Sequence, residues 1–245
     1  MKILLAPSES KKDGINGELN LKNLIFPQIT PQREHLINAY QKIINRGDIE
    51  ELKELFGLKK ESEIEKYLYD IKKAPTNKAI KIYEGVAFDY IDYDNLDSNS
   101  QNYIDKNLLI FSNLFGVVRA NDFIPKYKIK QGSIIDGEKI EKYYHNVLKE
   151  PLDEYLKNDD ILDIRAGYYD KFYKPSKFYT TLKFLKDGKV VSHWAKAYRG
   201  LVLRYCAINK IDNIKDFIAM DIEQLQIKEI IKSKTKQEVI YEISN

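Results

Sequence analysis

The chain is poor in sulfur and imidazole: one cysteine and three histidines in 245 residues. A lone cysteine, Cys206, cannot close an internal disulfide, and the opening MKILLAPSES turns polar too soon to be the apolar core of a secretion signal, so a reducing cytoplasmic setting is expected. His35, His145 and His193 are isolated and no Cys or His pair has ligand spacing, which leaves no expectation of a built-in metal or cofactor site. No apolar run approaches the roughly 18 residues that span a bilayer, so no membrane partner is expected. Glycine is scarce, 11 in all, and none forms a Walker or dinucleotide-type phosphate loop, which removes those nucleotide-dependent enzyme classes. Neither sign of charge dominates: 40 basic side chains against 37 acidic ones leave a net +3, so any anion site has to come from local clustering. Repeats, low-complexity tracts and linkers are absent too, which fits one domain over 1–245.

What is present is a chain with 43% hydrophobic residues, enough for a sizeable core. An apolar run at 3–6 closed by Pro7 predicts a buried strand ending in a loop that carries Ser8, Glu9, Ser10, Lys11 and Lys12. Helical periodicity covers 31–44 and 49–56, the second ending at Gly57, and a third helix is predicted over 61–71. Short apolar runs at 108–111 and 161–164 read as central strands, each followed by a turn with an arginine. Residues 178–185 alternate like a strand, and Asp187-Gly188 signals a tight hairpin into Val190-Val191. Helices at 195–209 and from about 213, then a strand at 238–243, complete the pattern. Helices and strands interleave without a strict βαβ rhythm, which predicts an α+β domain with a mixed sheet.

Several segments concentrate chemistry. In the helix at 195–209, a 3.6-residue period places Tyr198, Leu201, Val202, Tyr205 and Ile208 toward the core and Lys196, Arg199 and Arg204 opposite, with Gly200 leaving room for a phosphate; a solvated basic face is the plain alternative. Residues 112–132 hold Arg119 and Asp122, close enough to brace a turn as an ion pair or to aim the guanidinium at an anion. Residues 161–175 mix Asp163, Arg165, Tyr168, Tyr169 and Lys174, which suits bases and phosphates together but also suits a tyrosine-capped core edge. The loop Ser8-Glu9-Ser10-Lys11 offers hydroxyls, a carboxylate and an amine for nucleophile or proton chemistry, unless it is an ordinary polar turn. Helix, then Gly57-Leu58-Lys59, then helix resembles the hairpin that presents backbone amides to a DNA phosphate, though the hairpin's usual second glycine is replaced by lysine.

Five stretches, in order along the chain, resemble motifs of the YaaA family of peroxide-stress proteins. APSESK keeps Pro7, Ser8, Glu9 and Lys11 of the form PPSEGK, with Ser10 for its glycine; YEGVAFDYI matches at Tyr83, Gly85 and Asp89. SNLFGVVRANDFIPKYKIKQG matches at Ser112, Leu114, Gly116, Arg119, Asp122, Pro125, Tyr127 and Gly132, with Ala120 and Lys128 departing from the family's proline and arginine. DIRAGYYDKFYKP retains Asp163, Arg165, Gly167, Tyr169 and Pro175, and SHWAKAYRGLVLRY retains Ser192, His193, Lys196, Ala197, Gly200 and Arg204. The resemblance implies a twisted mixed sheet wrapped by helices around a positively charged cleft, with a helix-hairpin-helix-like element. It also implies a role in surviving hydrogen peroxide by keeping unincorporated iron low. Under it, Lys11, Arg119, Arg165, Lys196 and Arg204 are expected to converge on one cleft.

Two functions follow. In the first, the cleft binds DNA, of duplex, single-stranded or branched form, through cations on phosphates and tyrosines on exposed bases. In the second, an enzyme acts on a phosphorylated or nucleic-acid substrate, with Ser8, Glu9, Lys11 or Asp163 doing the chemistry; a plain DNA face has little use for matched carboxylates and a serine. Direct iron sequestration ranks below both, because no ligand spacing supports it.

Overall fold

A strand apolar on both faces is stable only where both faces are covered, and β1 (Lys2–Leu5), with Ile3, Leu4 and Leu5 buried, lies inside the main sheet of the computed structural model, which describes residues 1–191 and 194–244. The other strands of that sheet are β2 (Leu108–Ser112), β3 (Gly116–Arg119), β4 (Ile161–Asp163), β5 (Tyr179–Lys186), β6 (Lys189–Val190), β7 (Leu225–Lys232) and β8 (Lys236–Ile243). Their order is β7-β8-β5-β4-β1-β2-β3, with β6 folded back on β5. Pairing is parallel from β8 through β5, β4 and β1 to β2, with Ile3 facing Leu108 on one side and Leu162 on the other. The β2–β3, β5–β6 and β7–β8 pairs are antiparallel, so the sheet is mixed and the domain is α+β.

The helices that matter below are α1 (Thr30–Arg46), α2 (Ile49–Phe56), α3 (Glu61–Ile64), α4 (Val86–Ile91), α5 (Ser98–Asn107), α6 (Ile140–Leu156) and α7 (Trp194–Asn209). Each long one buries an apolar stripe. In α6 Tyr144, Leu148, Leu152 and Leu156 are buried, and Tyr144 stacks on Phe172. Tyr198 of α7 stacks on Phe184 of β5, which in turn stacks on Tyr241 of β8. A fully buried Arg33 joins α1 to the β2–β3 turn, donating to the carbonyls of Phe115 (3.0 Å), Val117 (2.9 Å) and Phe26 (3.2 Å). Burial lowers its pKa from the ordinary arginine value.

The expected third helix is shorter than its pattern: α3 is one turn, followed by a 3-10 turn at Glu65–Tyr67. α7 also differs from its projected single core stripe. It is covered on two sides, by β5 and by α4, so Ala195, Ala197, Gly200 and Leu203 are buried while Ile208, assigned to the core, is exposed.

Candidate functional site

β1, β4 and β5 run parallel and end on one edge of the sheet. The chain places β2 on one side of β1 and then β4 on the other, and such a reversal opens a crevice beyond the carboxyl ends of the strands. A hollow of about 830 Å³ lies there. Its walls are the loop from Leu5 to Ser10, the start of α4, the turn after β4, the end of β5 and the first turns of α7. Ser8, Glu9, Tyr169, Lys183, Lys196 and Arg199 give it a polar side; Phe88, Phe184, Val190 and Val191 give it an apolar one.

Pro7 ends β1 and turns the chain into that wall. Ser8 sits close against Gly85, whose φ of 118° favours glycine and where a Cβ would stand 3.2 Å from the Ser8 hydroxyl. Glu9 faces away from Lys11: its carboxylate accepts from Lys128 Nζ at 3.1 Å and from the Gln131 amide at 3.2 Å. Lys11 is buried behind the loop, where its amine donates to the carbonyls of Ser8 (3.0 Å) and Glu9 (3.4 Å). It also lies over the Tyr127 ring at 3.9 Å and the Tyr83 ring at 5.1 Å. Burial, assisted by the neighbouring Lys128 charge and only partly opposed by Glu9, lowers the Lys11 pKa well below the lysine value. The two tyrosines are joined, Tyr83 Oη to Tyr127 Oη at 3.0 Å, and Tyr127 Oη meets Ser112 Oγ at 2.8 Å. Burial pushes Tyr127 up to about 12, so it is a neutral phenol here.

Among the expected cations, Lys196 and Arg199 line the crevice, while Lys11 stands one layer beneath its surface. Among the described residues the buried Arg199 Nε has no hydrogen-bond acceptor, and burial lowers the pKa of the group against the pull of Asp163. The other arginines are occupied elsewhere. Arg165 is buried and grips Asp163 through Nε (2.8 Å) and Nη2 (2.6 Å), with further bonds to the carbonyls of Tyr169 and Tyr173. Burial works against its charge, but the Asp163 carboxylate outweighs that and the pKa is raised. Both carboxylate oxygens of Asp163 are thereby engaged by the arginine. Arg119 pairs with Asp122 at 2.6 Å and reaches the Asn23 carbonyl, so the local brace is the arrangement adopted, away from the crevice. Arg204 caps α4 through the carbonyls of Ile91 and Asp92 and pairs with the Asp92 carboxylate at 3.1 Å.

Gly200 corrects its expected role: the space beside it is filled by α4, and a Cβ there would lie 2.1 Å from the Ala87 carbonyl oxygen. The glycine lets two helices touch rather than admitting a phosphate. In the α2–α3 turn, the amides of Gly57 and Leu58 both donate to the Lys53 carbonyl, and Lys130 packs over Gly57. Lys59 follows in the turn, but Glu61 and Glu63 occupy the first turn of α3, where an anion would have to dock. Cys206 is buried in α7 and burial pushes its thiol up, leaving no reactive thiolate. The motif positions Ser192 and His193 lie outside the described residues.

Sequence reasoning missed Lys183, Phe88 and Phe184 on the crevice walls and Lys128 as the partner of Glu9. For Lys183 a signal existed, since alternation in β5 puts every second residue on one face, but nothing local tells which strand end meets which loop.

A family described as peroxide stress protein YaaA matches residues 1–230. An uncharacterised protein of Campylobacter jejuni is 48% identical over 99% of both chains. A UPF0246 protein of Streptomyces coelicolor is 31% identical over 83% of this chain and 82% of its own, and one of Corynebacterium efficiens is 33% identical over 84% and 85%.

Proposed function

Because the chain belongs to the peroxide stress protein YaaA family, we propose that it acts in the oxidative-stress response by engaging DNA in the crevice at the ends of β1, β4 and β5. The observation that carries this reading is the buried Nε–H of Arg199, left without an acceptor among the described residues, on the crevice wall that Lys196 also lines. A buried donor without a partner costs about 1–3 kcal/mol, and a phosphate oxygen would recover it. The exposed side chain of Val190, with Val191 beside it, gives the same crevice an apolar stretch on which a base can rest. This composition fits an exposed nucleotide of single-stranded or distorted DNA better than the outside of a regular duplex. Glu9 is the one carboxylate among the described residues lining the crevice, and it is engaged by Lys128.

The test is anisotropy of labelled single-stranded, duplex and branched DNA at two salt concentrations, with a Lys196→Ala, Arg199→Ala double variant. Loss of two phosphate contacts lowers the slope of log K against log salt by about 1.4 for a single strand. An unchanged slope removes the crevice from the DNA reading. The enzyme reading is favoured by a separate observation, the buried Lys11 amine with no carboxylate partner of its own among the described residues.

A further inference from the structure

Three cations line the crevice, Lys183 from β5 and Lys196 and Arg199 from α7, and none of them is paired with a carboxylate among the described residues. Glu9 is held by Lys128 Nζ and the Gln131 amide, and Asp163, whose charge reaches Arg199, gives both oxygens to Arg165. Like charges gathered on one hollow without a counter-charge repel one another and focus a positive field into it. Ala195 and Lys196 belong to the first turn of α7, a helix of 16 residues, so the positive end of its dipole adds to that field. Ser8 contributes a donor: its Oγ accepts from the Ser10 amide at 3.2 Å, which leaves its proton for an acceptor in the hollow. At about 830 Å³ the hollow is in the size range that encloses one small ligand rather than a length of strand.

We propose that the crevice is a site for the terminal phosphate monoester of a nucleotide, and that it prefers such an end to the phosphodiesters within a strand. A diester carries one negative charge and two unshared oxygens. A monoester carries close to two charges at neutral pH and three oxygens able to accept. Three cations, one of them a guanidinium with a buried N–H in need of an acceptor, match the monoester in charge and in number of acceptors. With a diester in place, two of the positive charges stay unbalanced. Val190 and Val191 then border the sugar and base. The inference rests on the reading that Lys196 and Arg199 hold a phosphate; it adds Lys183 to them and names the ligand class, a nucleoside with a phosphate at its end. That group occurs at the end of a broken DNA strand and in free nucleotides, and the two sources share the chemistry.

The experiment is anisotropy competition, at fixed salt, against an internally labelled oligothymidylate with a 5′-phosphate. The competitors are the unlabelled strand with a 5′-phosphate, with a 3′-phosphate, with each phosphate capped as its methyl ester, and with hydroxyl ends only, together with thymidine 5′-monophosphate. A phosphate-ended strand is expected to compete at least tenfold better than the hydroxyl-ended one. The methyl cap, which removes one charge and keeps the phosphate, is expected to take most of that gain away. Lys183→Met, which keeps an apolar stem and loses the ammonium, is expected to erase most of the preference; the comparison of competitors on the unmodified protein stands even if that variant folds poorly. Within a supported monoester site, stronger competition by the strand end assigns the ligand to DNA, and stronger competition by the monophosphate assigns it to free nucleotides. Equal competition by phosphate-ended, capped and hydroxyl-ended strands overturns the proposal, as does a preference that survives both Lys183→Met and the Lys196→Ala, Arg199→Ala double variant. Equal competition with binding still lost in the double variant leaves DNA in the crevice. If the labelled strand does not bind and calorimetry detects no thymidine 5′-monophosphate, both readings fall.

Discussion

At the scale of single residues, Lys11 has a measurable signature independent of any ligand. Its folded pKa is lowered, so between that value and the unfolded lysine value near 10.4 the unfolded chain holds the extra proton. Stability therefore rises with pH across that window, and the penalty from burying Lys11 is largest below it. Lys11→Met removes this dependence while filling similar space. The stability difference between the parent and Lys11→Met, measured by urea unfolding, is expected to shift toward the parent as pH rises from 7 to 9.5. A difference that stays flat means the amine remains charged in its pocket. Asp122 and Arg119 form a second, asymmetric case. Asp122 is buried and accepts from the amides of Ile25 (3.1 Å) and Arg119 (2.8 Å), whereas the Arg119 side chain is 39% exposed. Asp122→Ala strands two amides at about 1–3 kcal/mol each. Arg119→Ala loses about 1 kcal/mol and leaves DNA affinity unchanged. Chemical denaturation and the anisotropy assay check the two halves of that statement.

At the scale of elements, the contact between α4 and α7 shapes the crevice, because Phe88 comes from one and Lys196 and Arg199 from the other. Gly200→Ala tests it. Alanine gains about 1 kcal/mol in helix propensity, but its methyl would stand 2.1 Å from the Ala87 carbonyl oxygen and 2.9 Å from Tyr90 Cβ. Backbone cannot yield as a flexible side chain does, and overpacking of this kind costs about 1–3 kcal/mol. The clash is expected to win, with a lower urea midpoint; a higher one would mean α4 moves away freely. Elements also differ in how openly they announce themselves. β1, β2, α1, α2 and the β5–β6 hairpin were legible because period, caps and turn residues agree in them. β7 was not, since its consecutive Ile230 and Ile231 break the apolar alternation and a bulge between Ile227 and Glu229 shifts its register. α6 carries Pro151 in its interior, which reads as a helix breaker although packing of its leucines onto the core overrides it.

At the scale of the whole molecule, motif residues marked the site's neighbourhood but not its members. The loop from Ser8 to Ser10 and the first turns of α7 meet at the crevice, yet Lys11 lies buried behind that loop, and Arg119, Arg165 and Arg204 are spent on ion pairs that brace the frame. An arginine spent on a buried carboxylate or a helix end and one kept for a ligand look alike in a sequence; only packing separates them. The topology that positions the crevice has a further consequence for synthesis. β1 leaves the ribosome about 100 residues ahead of its first partner, since the partners begin at Leu108 and Ile161. At bacterial-type translation rates the apolar run of Ile3, Leu4 and Leu5 waits on the order of ten seconds before both neighbours exist. A strand paired on both sides in the finished sheet is thus also the one longest without a partner, a nascent-chain hazard that chaperone capture of this apolar run would relieve.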